Sequence, residues 1–327
     1  MRLLKLIPDN TNIGFVRIRH IAFAVTALLT IAALALLLTR GLNLGVDFKG
    51  GVAIQEQFQT APQIDEVRST VSRLGLGEPT LQQAGDPKKV TIRVPIDRDA
   101  PPEVADQAVE KVQAAISAKF PGAKFTDRTT VSGKVSDELI QKGALAVFLA
   151  IIGIAVFSWF RYEWQFGIST AVAILHDVLM TLGFFAAFRE WMTFDLNIVA
   201  AVLTIIGYSI NDKMVIDDRI RENMRKYRKM GMSELIDLSV NETLPRTVMT
   251  SLTVLIALTS LLIFGGEVLR GFTAAMILGV IVGTYSSIYV SSSLLITLGM
   301  KPGPVGAKGQ PDPAIAGGER VAPKDLP

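Results

Sequence analysis

Five ionisable residues stand inside apolar runs that ought to exclude them: His176 and Asp177 in one run, Asp212 and Lys213 in the next, and Arg246 at the start of the one after. Charge is costly in such a place, and where it persists it marks ion or proton pathways by default. The runs holding Asp212 and Arg246 are consecutive and antiparallel. Each residue lies one or two turns from their shared boundary, so the two are expected to meet. A carboxylate that alternates between a guanidinium partner and an apolar surrounding releases a proton in one state and holds it in the other. That is the chemistry of a proton relay. Structural readings stand beside it. Arg246 can snorkel to the interface, and Asp212, next to Asn211 and Ser209, can hydrogen-bond between helices. Lys213 and Asp217, four apart, can neutralise each other on one face. Asp217, Asp218 and Arg219 look like an exposed helix end at the water boundary. His176 and Asp177 fit a structural hydrogen bond and a proton-handling pair equally.

These side chains need membrane helices to carry them. Of 327 residues 50% are hydrophobic and 19% charged, with a mean hydropathy of +0.40, whereas soluble domains carry about 25% charge. Six segments are long enough to cross a hydrocarbon core of about 30 Å: Ile21–Leu38, Ala144–Phe160, Phe166–Phe188, Leu196–Ile216, Leu244–Phe264 and Phe272–Leu298. The first is longer than a signal-peptide core, and Thr39-Arg40-Gly41-Leu42 makes a poor cleavage site, so an uncleaved span is expected. Arg2, Lys5, Arg17, Arg19, Arg161, the cluster Arg219, Arg221, Arg225, Lys226, Arg228 and Lys229, and Lys301 share one side. The opposite short loops offer little beyond Arg189 and Arg270, each near an acid, Glu190 and Glu267. The excess of basic residues predicts cytoplasmic N- and C-termini. A net charge of +3 is too small and too segregated to argue for nucleic-acid binding. The absence of cysteine excludes disulfides and thiolate metal sites, and a count of two histidines, His20 and His176, argues against a histidine-rich metal site.

Between the first two spans, residues 41–142 predict a small extracytoplasmic α+β domain. Strands are expected at Val52–Phe58, Pro79–Gln83, Val90–Val94 and Lys124–Val131, with Gly85-Asp86-Pro87 as a turn. Helices are expected at Gln63–Leu74, with Ile64, Val67 and Val71 on one face, and at Pro102–Phe120, with Val104, Ala108, Val112 and Ile116 facing the core. Strand–helix–strand–strand–helix–strand is the ferredoxin-like order. No catalytic constellation or cofactor site is visible in it, which predicts a binding or structural role rather than an enzyme. The expected organisation is 1–40 for the cytoplasmic N-terminus and first span, 41–142 for the domain, 143–300 for a five-span membrane domain and 301–327 for a disordered cytoplasmic tail. The charged stretch Arg219–Glu242 is expected to lie as helix along the cytoplasmic surface near anionic lipid.

The run Gly41-Leu42-Asn43-Leu44-Gly45-Val46-Asp47-Phe48-Lys49-Gly50-Gly51 follows the first span directly. Its glycines allow positive φ and close backbone approach, which makes it a shaped junction between membrane and domain, with Gly45, Asp47, Gly50 and Gly51 as its marks. A phosphate-binding loop is the competing reading. It fails because no Gly-Lys-Ser/Thr opens a helix there and the segment lies on the non-cytoplasmic side.

That junction resembles the signature following the first span in the SecD/SecF family of protein-export membrane proteins. AILHDVLMTLGFF at 173–185, IIGYSINDKMVIDDRIREN at 205–223 and NETLPRTVMTSLT at 241–253 resemble the SecF branch of that family in order and spacing. The resemblance implies a six-helix polytopic protein of the bacterial inner membrane, in the resistance–nodulation–division superfamily, with an extracytoplasmic domain after the first span. It implies SecD as partner chain, the SecYEG channel, YajC and YidC as further partners, a translocating preprotein and membrane lipids as contacts, and proton-motive force as the energy source. By motif, Asp212 and Arg246 match the family's proton-pathway residues, and Asp177 matches a further family acid. Lys213 stands where the family has a small hydroxylated or apolar residue, and Asp217 where it has an aromatic. A small-molecule or lipid exporter of the same superfamily and a passive assembly scaffold are the alternatives. The single domain after the first span argues against the exporter.

Overall fold

In the computed structural model, Pro8 and residues 11–77, 79–84, 86–96, 100–131, 133–266 and 269–301 are described. Arg2, Lys5, Gly85, Glu267 and the tail beyond Lys301 lie outside them. Six helices are long and apolar enough to cross a membrane: Val16–Thr39, Val135–Arg161, Trp164–Ala187, Leu196–Lys226, Met232–Phe264 and Arg270–Thr297. The elements within them are α1 (Arg19–Thr39), α5 (Gly133–Arg161), α6 (Trp164–Ala187), α7 (Leu196–Lys226), α8 (Met232–Phe264), α9 (Arg270–Tyr285), a π-helical segment Ser286–Ser291 and α10 (Ser292–Thr297). One short helix, α2 (Val46–Lys49), belongs to the junction.

Two neighbouring helices run far past their apolar segments. α7 continues ten residues past Ile216, and α8 starts twelve before Leu244. The charged stretch Arg219–Glu242 is therefore not a separate surface helix. Its two halves prolong adjacent spans past the apolar zone and pack together, sharing Ile220, Met224, Leu235 and Ile236 in one core. Asn223 Nδ2 donates to Ser239 Oγ at 3.0 Å and Arg219 Nε to Glu242 Oε2 at 2.6 Å, closing the pair. Helices persist into water here because tertiary burial stabilises them.

Residues 51–131 form a four-stranded antiparallel sheet, β1 (Gly51–Gln57), β2 (Thr80–Ala84), β3 (Asp86–Val94) and β4 (Lys124–Val131), in the order β2-β3-β1-β4. Val52, Ile54 and Glu56 of β1 stand opposite Val94, Ile92 and Val90 of β3. Period-two alternation turns Val52 and Ile54 to one face, where α3 (Ile64–Ser72) and α4 (Pro102–Lys119) add Val67, Val71, Val109, Val112 and Ile116. Val104 is 40% exposed, and Ala105 and Val109 take the core side instead. A strict four-residue stripe drifts round a helix of 3.6 residues per turn, which is why the face expected from Val104 fails at its first member. β3 begins at Asp86 rather than Val90 because its exposed first residues pair with β2 and β1 without any apolar alternation to reveal them.

Candidate functional site

Asp177, wholly buried on α6, is the hub of a polar cluster inside the bundle. Its Oδ2 accepts from Ser209 Oγ of α7 at 2.6 Å and from Ser286 Oγ, the first residue of the π-helical segment, at 2.9 Å. Its Oδ1 lies 3.0 Å from His176 Nδ1. Thr181 Oγ1 donates to the Asp177 carbonyl at 2.9 Å. His176 is also buried, and its Nε2 has no hydrogen-bond partner among the described residues. Helices α7 and α9 reach this closeness through glycine: a Cβ on Gly279 would overlap the Ile205 side chain, and one on Gly283 would press on Ser209. Small residues at such crossings let backbones approach. π-Helical turns cluster at functional sites, because the extra residue re-aims side chains. Here it accompanies Ser286.

α7 carries the cluster onward. Ser209, Lys213 and Asp217 recur every four residues and all three are buried. Lys213 Nζ lies 2.9 Å from Asp217 Oδ1 and 2.8 Å from Oδ2. The mutual neutralisation expected from their spacing is present. The exposed helix end expected at Asp217 is not: Asp217 is completely buried, because α7 continues to Lys226 and packs against α8. Asp218 of that turn faces solvent, with Arg161 Nη2 3.4 Å away, and Arg219 is half-buried. Asp212 is 3% exposed, and its Oδ2 has no hydrogen-bond partner among the described residues. Arg246 is close enough to act on it electrostatically, but no ion pair joins the two among the described residues. Arg246 lies on the outer face of α8, one residue past the interior Pro245, while Asp212 turns inward. One turn away, Tyr208 OH donates to Ser251 Oγ at 3.1 Å, and Ser251 lies 2.8 Å from Thr284 Oγ1, linking α7, α8 and α9.

The glycine-marked junction grips the opposite end of α7. Gly45 N donates to Phe194 O and Phe194 N to Asn43 O, both at 2.8 Å, making a short parallel bridge between Leu44 and Phe194. Asp47 Oδ2 accepts from Leu196 N at 3.1 Å, and Asp195 Oδ1 caps the same helix through Ile198 N at 3.1 Å. Two carboxylates therefore satisfy N–H groups at the positive end of the α7 dipole. Arg93 of β3 donates to Thr193 Oγ1 at 2.9 Å and lies in the field of both Asp195 and Asp47. Burial pushes the Asp195 carboxyl up, against the pull of the Ile198 N–H. Gly50 and Gly51 have φ of 73° and 122°, and a Cβ on Gly51 would collide with the Val94 carbonyl, so only glycine enters β1 this way.

Sequence reasoning singled out Asp177, Asp212, Arg246 and the junction residues, expected Asp212 and Arg246 to meet where the structure turns them apart, and missed Ser286, Arg93, Thr193 and Asp195. The serines at 286–287 and 291–293 inside an apolar span were the available signal for the first. Nothing in the sequence pairs Arg93 with Thr193, because the contact joins a strand to a loop 100 residues away.

A bundle of six membrane-length helices with buried carboxylates, bearing an α+β insertion locked to one helix end, defines a polytopic membrane protein of the transport class. The chain belongs to the SecD/SecF family of protein-export membrane proteins: residues 111–301, more than half of it, match the family model described as protein export membrane protein SecD/SecF, C-terminal, and residues 35–61 match the SecD/SecF GG motif. It is 42% identical over 306 residues to a protein translocase subunit SecF of Cereibacter sphaeroides, covering 92% of this chain and 94% of that one. A protein translocase subunit SecF of Rhodobacter capsulatus is 41% identical, with 91% and 92% covered. The crystal structure of SecDF, a translocon-associated membrane protein from Thermus thermophilus, superposes with a TM-score of 0.81 at 31% identity over 90% of this chain. This chain spans 40% of that longer one.

Proposed function

We propose that this chain is the auxiliary subunit of a Sec-type preprotein translocase, pairing with SecD and using the proton-motive force to promote late steps of translocation across the bacterial inner membrane. The observation that carries the reading is the buried polar stripe on α7. It runs from Ser209 on Asp177, past Asp212 with its unpartnered Oδ2, to the Lys213–Asp217 pair. Asp212, Asp177 and Arg246 are its proton-pathway residues, and Arg246, exposed on α8, is free to meet a carboxylate supplied by SecD. No covalent chemistry and no cofactor enters. Both termini are cytoplasmic, and residues 41–142 form a ferredoxin-like extracytoplasmic domain ahead of the membrane domain 143–300 and the tail 301–327. α7 is the lever between the two. A change in the proton occupancy of Asp212 repositions it, and Asp47, Asp195 and Arg93 transmit the shift to β3. SecYEG, YajC and YidC are the partners through which preprotein is drawn outward.

A second reading has support of its own: Asp177 and Lys213 are fully partnered, as expected if the charges only hold helices together. Preprotein export into inverted membrane vesicles, with and without a proton gradient, separates the two. The expected result is that Asp212→Asn and Arg246→Met each abolish gradient-dependent stimulation while the complex with SecD stays intact. Stimulation that survived both exchanges would leave the scaffold as the function.

A further inference from the structure

The end of the bundle opposite the α+β domain holds an open cavity of about 410 Å³ lined by Arg161, Asp218, Arg221, Glu222, Arg225 and Lys226. Five of the six come from the last turns of α7 at helical spacing, so one helix face builds the wall. Arg161, the last residue of α5, closes it. Four cations face two carboxylates, and both carboxylates are already engaged. Asp218 takes Arg161, and Glu222 Oε2 takes Arg219 Nη1 at 2.6 Å, outside the lining. Arg221 is only loosely held: its Nε lies 3.9 Å from Glu163 Oε1 and makes no hydrogen bond, while its Nη1 donates to the Arg161 carbonyl at 3.1 Å. Arg225 makes no hydrogen bond or ion pair among the described residues. Lys226 rests on the Tyr227 ring, 4.9 Å from its centroid. The chain therefore assembles more positive charge here than it neutralises.

A second feature adjoins the cavity. Phe157, Trp159 and Phe160 precede Arg161 on α5, and Trp164 opens α6; they are 58%, 61%, 88% and 46% exposed. Tryptophan rings such as Trp159 and Trp164 gather at the headgroup level of a bilayer. Tyr162, between them in the chain, has the guanidinium carbons of Arg161 and Arg221 at 5.0 and 5.7 Å from its centroid. One aromatic ring thus contacts both guanidinia, and both line the cavity. Guanidinium groups match the oxygen geometry of a phosphate, which they bind in bidentate fashion.

We propose that this cavity binds the phosphate headgroup of an anionic phospholipid, with the acyl chains lying along the aromatic flank of α5. A free phosphate ion would use the same donors but would gain nothing from the exposed rings beside them. The site needs only that the bundle lie in a bilayer with this end at the headgroups. It does not depend on the proton pathway.

The test uses the full chain in nanodiscs of phosphatidylcholine, titrated with fluorescent phosphatidylglycerol. Combining Arg221→Gln, Arg225→Gln and Lys226→Gln should weaken phosphatidylglycerol binding about tenfold or more. Combining Arg17→Gln, Arg19→Gln and Arg228→Gln, which removes equal charge from the same end, should change it by less than about twofold. Equal losses from both sets would mean diffuse surface attraction and overturn the site. Inorganic phosphate is the competing probe. If it displaced the lipid completely and bound the delipidated protein as tightly, the occupant would be a free anion and the lipid assignment would fall. Arg225→Gln alone, at an exposed and unpartnered side chain, guards against misfolding. It should weaken binding severalfold with an unchanged unfolding midpoint, and unchanged binding would also overturn the proposal.

Discussion

Asp47 and Leu196, 149 residues apart, share a hydrogen bond of 3.1 Å from the Leu196 amide to Asp47 Oδ2. Through it the segment that leaves the first span holds the first turn of the helix that carries Ser209 and Asp212. That helix has 31 residues and is therefore about 46 Å long. The end held by Asp47 and the polar stripe lie on one continuous helix.

Removing that constraint should loosen the end of α7 and little else. Asp47→Ala deletes an acceptor at a helix N-terminus, which costs about 1 kcal/mol. Amide exchange at Leu196 in the full chain should accelerate roughly fivefold, the factor that about 1 kcal/mol implies. Exchange near Asp212 should not change. Arg93→Gln, tested the same way, should act on the same amides and be non-additive with Asp47→Ala, since the two side chains interact. Independent effects would show that the junction is not one unit.

The Asp177 cluster gives a second expectation. Ser209→Ala and Ser286→Ala each take one donor from a buried carboxylate, and a buried acceptor left short costs about 1–3 kcal/mol. Each variant should lower the unfolding midpoint in detergent, and Ser209→Thr, which keeps the hydroxyl, should recover most of the Ser209→Ala loss. A Ser286→Ala protein as stable as the native one would mean that the π-helical turn does not serve Asp177.

How much of this was legible beforehand depends on the range of each interaction. The six spans follow from apolar runs, and the strands around Val52 and Ile54 from period-two alternation, because both are local consequences of burial. Asp177 and Asp212 stand out because charge is rare in such runs. What the sequence did not reveal was direction. Asp212 turns inward while Arg246 faces out, and Asp217 is enclosed because α7 outruns its own apolar segment. The junction glycines announced a shaped turn, but its partners, Thr193, Asp195 and Arg93, come from elements distant in the chain. The alternation of strands and helices in residues 51–131 was visible as element sequence, whereas the loss of Val104 from the core required the helix's actual rotation.

The Lys213–Asp217 pair permits a sharper experiment. Both side chains are at most 3% exposed, so removing one partner strands the other charge in the interior. Lys213→Met should destabilise the protein by about 3–5 kcal/mol. Adding Asp217→Leu should restore most of that loss, because a well-packed apolar pair replaces a buried ion pair at little cost. Unfolding midpoints of the two singles and the double in one detergent decide it. If Lys213→Met were harmless, Asp217 would have another partner and the pairing would not be structural.

The last expectation concerns the α+β domain. Glu56 is 3% exposed on the core face of β1, in line with Val52 and Ile54. Burial pushes its carboxyl up from 4.5 to about 7. Below pH 4.5 the group is protonated in both folded and unfolded chains and leaves stability unaffected. Between 4.5 and about 7 the unfolded chain releases the proton while the folded domain retains it, so stability falls as pH rises. Above about 7 both forms are ionised and the loss levels off, having reached roughly 3 kcal/mol. Glu56→Gln is neutral throughout and should remove this slope. Opening free energies of the Ile54 amide, from hydrogen exchange corrected for intrinsic rate, should therefore agree for the two proteins near pH 4.5 and diverge steadily toward neutrality, with the variant the more stable. Parallel curves would mean that Glu56 is ionised and solvated in the folded domain, and that its place among Val52, Ile54 and Phe58 is not the dry one its burial indicates.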